Sequence, residues 1–97
     1  MEKVNLAGLK RILEKFDEDG KCVIGTHWKI ASGGYDLWWE LYYDEQPVVR
    51  CCASGEYTKN YWEIGNLSNC GTVPDTEFKR ICKAIMDVYP ECRVAEE

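Results

Sequence analysis

Residues 35–44 read YDLWWELYYD, and this stretch decides the fold class. Each odd position carries an apolar or aromatic side chain. The even positions are Asp36, Trp38, Glu40, Tyr42 and Asp44. Alternation with a period of two is typical of a strand that buries one face. The stretch therefore predicts a β-strand whose odd residues pack inside and whose even residues meet water.

Further strands are predicted on both sides of this segment, because alternating or apolar runs are bounded by turn residues. In chain order they are a strand at 22–30 with its even residues buried, a hairpin connection at 32–34, a turn at 45–47, a strand at 48–53, a turn at 54–56, and a strand at 57–64. Residues 65–73 are rich in Gly, Asn and Ser, which is typical of a loop. Together with residues 35–44, this predicts a four-stranded antiparallel sheet.

Apolar residues recur at helical spacing near both ends of the chain. The first stripe is Leu6, Leu9, Ile12, Leu13 and Phe16, and the second is Phe78, Ile81, Cys82 and Ile85, with Val88 or Tyr89. Pro90 ends the second helix, and residues 90–97 are predicted to form a loose tail. The result is an α+β fold, a single domain over 1–97 in the order helix, sheet, helix, with both helices packed on one face of the sheet.

The charge of the chain disfavours one class of partner. Its 97 residues include 12 basic and 17 acidic side chains, so the net charge is −5. Direct nucleic-acid binding requires the opposite balance, usually as a basic stripe. An apolar run long enough to span a membrane is missing, as is a basic N-terminal region followed by an apolar stretch. These features predict a cytoplasmic protein that contacts neither nucleic acid nor membrane directly.

Acidic and aromatic side chains coincide between residues 35 and 64. This stretch holds six carboxylates against two bases, a local charge of −4, and eight of the twelve aromatic residues. Large aromatic side chains dominate binding hot spots, and carboxylates pair with lysine or arginine. We therefore predict a docking surface for a protein with a basic surface, with His27 and Lys29 on the neighbouring strand. Its residues are Asp36, Trp38, Glu40, Tyr42, Asp44, Tyr57, Tyr61 and Glu63.

Two other interpretations of this surface stay open. Aromatic pairs across neighbouring strands stabilise small sheets without any partner. The same face could also join two copies of the chain in a homodimer.

The six cysteines are predicted to be reduced thiols rather than structural disulfides, because no secretory signal accompanies them and Cys22 and Cys82 fall on predicted core faces. Structural disulfides stay open as an alternative. Zinc sites usually contain a short C-x₂₋₄-C pair, and this spacing is missing. A small metal-stabilised domain, in which the cysteines and His27 hold zinc, is the alternative hypothesis. Catalysis by Cys52 with His27 would need an orienting group and an oxyanion site that no motif supplies. No catalytic residue, cofactor or metal is therefore predicted.

Size and charge together favour a non-enzymatic inhibitor. Small acidic proteins without enzyme motifs are a common form for inhibitors of nucleic-acid machinery, including the anti-CRISPR proteins of phages. Carboxylates can replace phosphates on the lysines and arginines of a basic groove. The sequence therefore predicts a nucleic-acid-mimicking protein that occupies the basic surface of a nucleic-acid-processing effector.

Overall fold

Residues 3–19, 21–33, 38–53 and 65–95 are described by the structure, a computed structural model. In chain order the elements are α1 (Leu9–Asp19), β1 (Cys22–Ile24), β2 (Trp28–Gly33), β3 (Trp38–Tyr43), β4 (Gln46–Ala53), β5 (Gly65–Asn69), α2 (Asp75–Val88) and β6 (Arg93–Val94). Within the described ranges the strands form one six-stranded sheet in the order β1-β2-β3-β4-β5-β6. All neighbours are antiparallel except β5 and β6, which run parallel.

The α+β class is confirmed, but the four-stranded antiparallel sheet is wrong. The predicted strand at 22–30 is two short strands joined by a turn, in which the Gly25 amide donates to the Trp28 carbonyl at 2.7 Å. Val23 lies directly opposite Ile30, so these two side chains share the core face. The prediction that the even-numbered residues are buried is therefore right for Trp28 and Ile30. It is wrong for Cys22 and Ile24, which are exposed.

The predicted loop at 65–73 and the predicted loose tail are also wrong in part. Residues Gly65–Asn69 form β5, which pairs with β4 on one side and with Arg93–Val94 on the other. Leu67 is fully buried in this strand, and Cys92 is 2% exposed just before β6. The sequence of β5 is mostly polar, because only its alternate residues face the core. Its backbone groups pair with both β4 and β6, and this pairing is not visible in the residue pattern. The predicted turn at 54–56 and strand at 57–64 lie outside the described residues.

Both helices pack on one face of the sheet, as predicted. Helix α1 contacts β1 and β2, and helix α2 contacts β4 and β5. The core between them contains Leu9, Ile12, Leu13, Phe16, Trp28, Ile30, Trp39, Leu41, Val48, Val49, Cys51, Leu67, Phe78, Ile81, Cys82, Ile85 and Tyr89. Neither helix of the described ranges is long and apolar enough to cross a membrane.

A β-bulge adjusts the hairpin of β3 and β4. Leu41 lies opposite Val49 and Tyr42 lies opposite Pro47, so Val48 is an extra residue without an opposed partner. A bulge of this kind lets two consecutive residues face the same side of a sheet. Val48 and Val49 are both fully buried for this reason. The hairpin turns at Asp44 and Glu45, which have positive φ angles of 47° and 68°, one residue earlier than predicted.

A buried carboxylate ties the N-terminal segment to α2. Glu77 is 5% exposed, and its Oε1 accepts a hydrogen bond from the Val4 amide at 2.9 Å. Arg80 donates from Nη1 to both carboxylate oxygens, at 2.9 and 2.8 Å, and to the Val4 carbonyl at 3.2 Å. The hydrogen bonds from Arg80 and Val4 lower the pKa of Glu77, against the opposing effect of desolvation.

This contact predicts a specific acid sensitivity. Because the folded pKa of Glu77 lies below that of the unfolded chain, its stabilising contribution is complete above about pH 4.3 and disappears as the pH falls through the folded value. We expect Glu77→Gln to flatten the fall in unfolding free energy between about pH 5 and about pH 2, measured by urea denaturation at each pH. Asp75→Asn removes a carboxylate from an exposed ion pair with Lys79 on the same helix and serves as the control. Equal pH dependence in wild type and Glu77→Gln would contradict the prediction.

Candidate functional site

The face of the sheet opposite the helices carries the candidate site. Strand register and alternation place on it Cys22, Ile24, Lys29, Ala31, Gly33, Trp38, Glu40, Tyr42, Arg50, Cys52, Asn66, Ser68 and Arg93. We call this surface the open face. Its described residues are exposed or half-buried, whereas the residues between them on each strand belong to the core, except for the half-buried Ser32.

Trp38 is the first residue of β3, and its side chain contacts both neighbouring strands on the open face. A Cβ at Gly33, directly opposite on β2, would come within 2.5 Å of its indole ring. Arg50 on β4 places its Cζ 4.9 Å from the centroid of the same ring, within the range of a cation–π contact. The absence of a side chain at Gly33 therefore lets the indole lie flat against the sheet.

A carboxylate links Arg50 to the next aromatic residue. Glu40 lies directly opposite Arg50, and its Oε2 is 3.3 Å from Nη2 of the guanidinium. The Tyr42 hydroxyl donates to Oε1 of Glu40 at 3.4 Å, and Lys29 places its Nζ 4.4 Å from the centroid of the Tyr42 ring. Desolvation, followed by the charge of Glu40, raises the pKa of Tyr42.

These contacts form one continuous row across three strands. We call it the central array: Lys29, Tyr42, Glu40, Arg50 and Trp38. The row runs cation, aromatic, carboxylate, cation, aromatic, and each contact joins neighbouring strands or same-face neighbours on β3. Cross-strand pairs of this type stabilise a sheet and also hold their side chains in fixed positions.

The described part of the open face is not acidic. It carries three cations, Lys29, Arg50 and Arg93, against the single carboxylate of Glu40. The side chain of Glu40 is only 13% exposed and is paired with Arg50. The acidic balance that the sequence predicts for residues 35–64 therefore does not extend to the described part of this surface.

The eight predicted binding residues are placed as follows. Trp38, Glu40 and Tyr42 come together in the central array, as predicted from their alternation. Asp44 lies in the turn between β3 and β4, with its Oδ1 2.6 Å from Nδ1 of His27 and both side chains exposed. Asp36, Tyr57, Tyr61 and Glu63 lie outside the described residues.

Sequence reasoning missed the role of Arg50 and the residues beside it. Arg50, Glu40, Pro47, Ser68, Asn69 and Cys70 line an open depression of about 400 Å³. Desolvation and the charge of Glu40 raise the pKa of Cys70, against the opposing effect of Arg50. Because a thiolate is the reactive form of cysteine, this thiol is a poor nucleophile at neutral pH. The opposite charges of Glu40 and Arg50 could have indicated an ion pair between the two strands. Which residue of β4 lies opposite Glu40, however, depends on the β-bulge at Val48.

The six cysteines are free thiols. Across residues 3–19, 21–33, 38–53 and 65–95, no group of three or more His, Cys, Asp or Glu side chains is arranged to hold a metal ion. All six cysteines and His27 lie within those ranges. The alternative of a zinc site built from them therefore has no geometric support.

The chain matches no protein-family model, no curated protein and no solved structure.

Proposed function

We propose that this protein is a non-enzymatic binding module that docks another protein on its open face. The observation that carries the proposal is the central array, which fixes Trp38, Tyr42 and Arg50 on a sheet surface opposite both helices. Tryptophan, tyrosine and arginine are the residues most enriched in binding hot spots. The array concentrates all three within one strand pair.

The contacts within the array also favour binding energetically. Association must offset the loss of side-chain freedom, at about 0.5–1.5 kcal/mol for each flexible side chain that becomes immobilised. Here Arg50 is already held between Glu40 and the Trp38 ring, and Lys29 is already held over Tyr42. A partner would meet a surface whose long side chains are largely ordered beforehand.

The charges of the array indicate the chemistry of the partner. The side chain of Arg50 is 48% exposed, and its contact with Glu40 is a single 3.3 Å approach, so guanidinium donors are available to another carboxylate. We propose a partner that presents an acidic side chain beside an apolar or aromatic surface. The carboxylate would bind Arg50, and the apolar surface would pack on Trp38.

A second form of the proposal keeps the inhibitor that the sequence favours. Its support is the net charge of −5 and the exposed carboxylates of the Asp44–Glu45 turn, which a basic groove would attract. In that form the partner is a basic, nucleic-acid-binding protein, as in anti-CRISPR inhibition. The two forms predict opposite effects of removing the charge of Arg50.

The test compares four baits in a pulldown from cells of the source organism: wild type, Trp38→Ala, Arg50→Gln and the control Lys83→Gln on the helix side. We expect a partner to be retained by wild type and Lys83→Gln, and Trp38→Ala to lower its affinity by about 30-fold or more, as for a hot-spot residue. Arg50→Gln should weaken an acidic partner and strengthen a basic one. The same proteins on all four baits would exclude the open face as the contact.

Self-association is the competing outcome, and sedimentation of the purified protein measures it. A dimer that Trp38→Ala dissociates would mean that the partner is a second copy of this chain.

We also propose a cytoplasmic location, because six free cysteines persist only in a reducing compartment.

A further inference from the structure

Three buried thiols meet on the helix side of the sheet, away from the open face. Cys51 comes from β4, Cys82 from α2 and Cys92 from the segment that joins α2 to β6, and they are 1%, 0% and 2% exposed. The Cys51 and Cys92 thiols share a hydrogen bond, and Cys82 lies close enough for a thiolate at Cys92 to raise the pKa of Cys82. Cys51 and Cys92 are therefore the pair in direct contact, and Cys82 lies near them.

The packing around Cys51 directs its sulfur toward the C-terminal strands. A Cβ at Gly65 on β5 would lie 2.1 Å from the Cys51 Sγ, so the sulfur occupies the space that a side chain at Gly65 would take. Cys51 lies opposite Leu67, which lies opposite Val94 in β6. The Cys51 sulfur thus approaches the point where the chain enters β6.

We propose that Cys51 and Cys92 are an oxidisable pair, which a disulfide oxidant such as glutathione disulfide converts into a disulfide that fastens β6 to β4. In the reduced state the pair is held only by packing and the thiol hydrogen bond. In the oxidised state the bond closes the chain between positions 51 and 92, and β6 directly follows the covalent loop that this bond forms. The site is independent of the proposed docking on the open face.

The oxidation proceeds through a local opening of the C-terminal segment. Strand β6 is only two residues long and lies at the edge of the sheet, so it opens more readily than the central strands. Opening exposes Cys92 to solvent, where its thiolate attacks glutathione disulfide, forms a mixed disulfide and releases one glutathione thiolate. Before the segment closes, the Cys51 thiol that the same opening uncovers loses its proton to water, and its thiolate attacks the Cys92 sulfur and releases the second glutathione thiolate. The protein loses two electrons and two thiol protons, and one glutathione disulfide becomes two glutathione molecules.

The closed state slows the reaction of the pair with this oxidant. The hydrogen bond with Cys92 and desolvation raise the pKa of the Cys51 thiol far above its ordinary value. Desolvation raises the pKa of Cys82 to about 12. Thiols in this environment are protonated at neutral pH and react slowly.

The experiment incubates the folded protein with glutathione disulfide until its mass stops changing, blocks the remaining thiols by alkylation, and digests it with trypsin. Cleavage at lysine and arginine places Cys51 in peptide 51–59, Cys82 in peptide 81–83 and Cys92 in peptide 84–93. We expect peptides 51–59 and 84–93 to be joined, and the melting temperature to rise on the order of 10 °C because the disulfide constrains the unfolded chain.

Since Cys52 shares peptide 51–59 with Cys51, the variant Cys52→Ser identifies the sulfur involved. The cross-link should persist in Cys52→Ser and disappear in Cys51→Ala and Cys92→Ala, whose folding is checked by circular dichroism. A cross-link that disappears in Cys52→Ser would overturn the proposal. So would a join of 81–83 to 84–93 in wild type, or glutathione on the exposed thiols without any cross-link.

Discussion

Trp39→Ala is expected to lower the free energy of unfolding by about 3–5 kcal/mol, as for other large aromatic side chains removed from a core. Trp39 is 1% exposed and makes edge-to-face contacts with Phe16 of α1 and with Tyr89 just after α2, each with ring centroids 6.2 Å apart. It therefore connects both helices to the centre of the sheet. Urea or guanidinium denaturation measures the change.

Trp38→Ala is the matched control, because the neighbouring tryptophan lies on the opposite face of the same strand. Trp38 is half-buried, and among the described residues it packs over Gly33 and against Arg50. We expect it to lose roughly 1 kcal/mol, the scale of a cross-strand pair. A variant that is nearly as stable as wild type and no longer binds a partner would assign Trp38 to binding and Trp39 to folding. Equal losses of stability at both positions would contradict this division.

Gly65→Ala is the second large effect, and we expect a loss of about 3 kcal/mol, at the upper end for an added methyl group in a packed core. The new Cβ would lie 2.1 Å from the Cys51 sulfur and 2.9 Å from the Cys52 carbonyl oxygen. The sulfur can move only by displacing other core side chains, and the carbonyl belongs to the β4–β5 ladder. Thermal and urea unfolding should both show the loss.

A double-mutant cycle separates the two clashes in this prediction. Cys51→Ala removes the sulfur, so Gly65→Ala should cost at least about 1 kcal/mol less in that background than in wild type. Asn66→Ala, at the next and exposed position of β5, serves as the control for substitution in this strand. Additive effects of Gly65→Ala and Cys51→Ala would contradict the close approach.

Part of the candidate site could be predicted from the alternation of β3. A side chain that repeats every two residues must return to the same face, so Trp38, Glu40 and Tyr42 were assigned together. Arg50 and Lys29 could not be assigned their contacts in this way. Their neighbours depend on register, and the bulge at Val48 changes the register within β4. The charge of the described open face could therefore not be predicted by counting the acidic residues between positions 35 and 64.

Strands β1, β5 and β6 also depend on pairing with distant residues, which the sequence pattern does not reveal. In β1, the turn after Ile24 places Val23 rather than Cys22 against the core, because pairing with Ile30 decides the face. In β5, two core-facing residues, Gly65 and Leu67, are too few for a periodic signal. Strand β6 contains only Arg93 and Val94 and is a strand solely through its pairing with β5.

The sequence by itself determined the α+β class, both amphipathic helices, their common side of the sheet, and the faces of Trp38 and Trp39. The elements and their buried faces follow from the periodicity of apolar residues, which requires only local backbone geometry. The common side of the helices follows because both apolar stripes must cover the one apolar face of the sheet. The tertiary structure alone decided the number of strands, the parallel edge, the pairing of Glu40 with Arg50 and the meeting of Cys51 with Cys92. These depend on which distant segments pair and in which register, and that is settled by the packing of the whole core rather than by any local pattern.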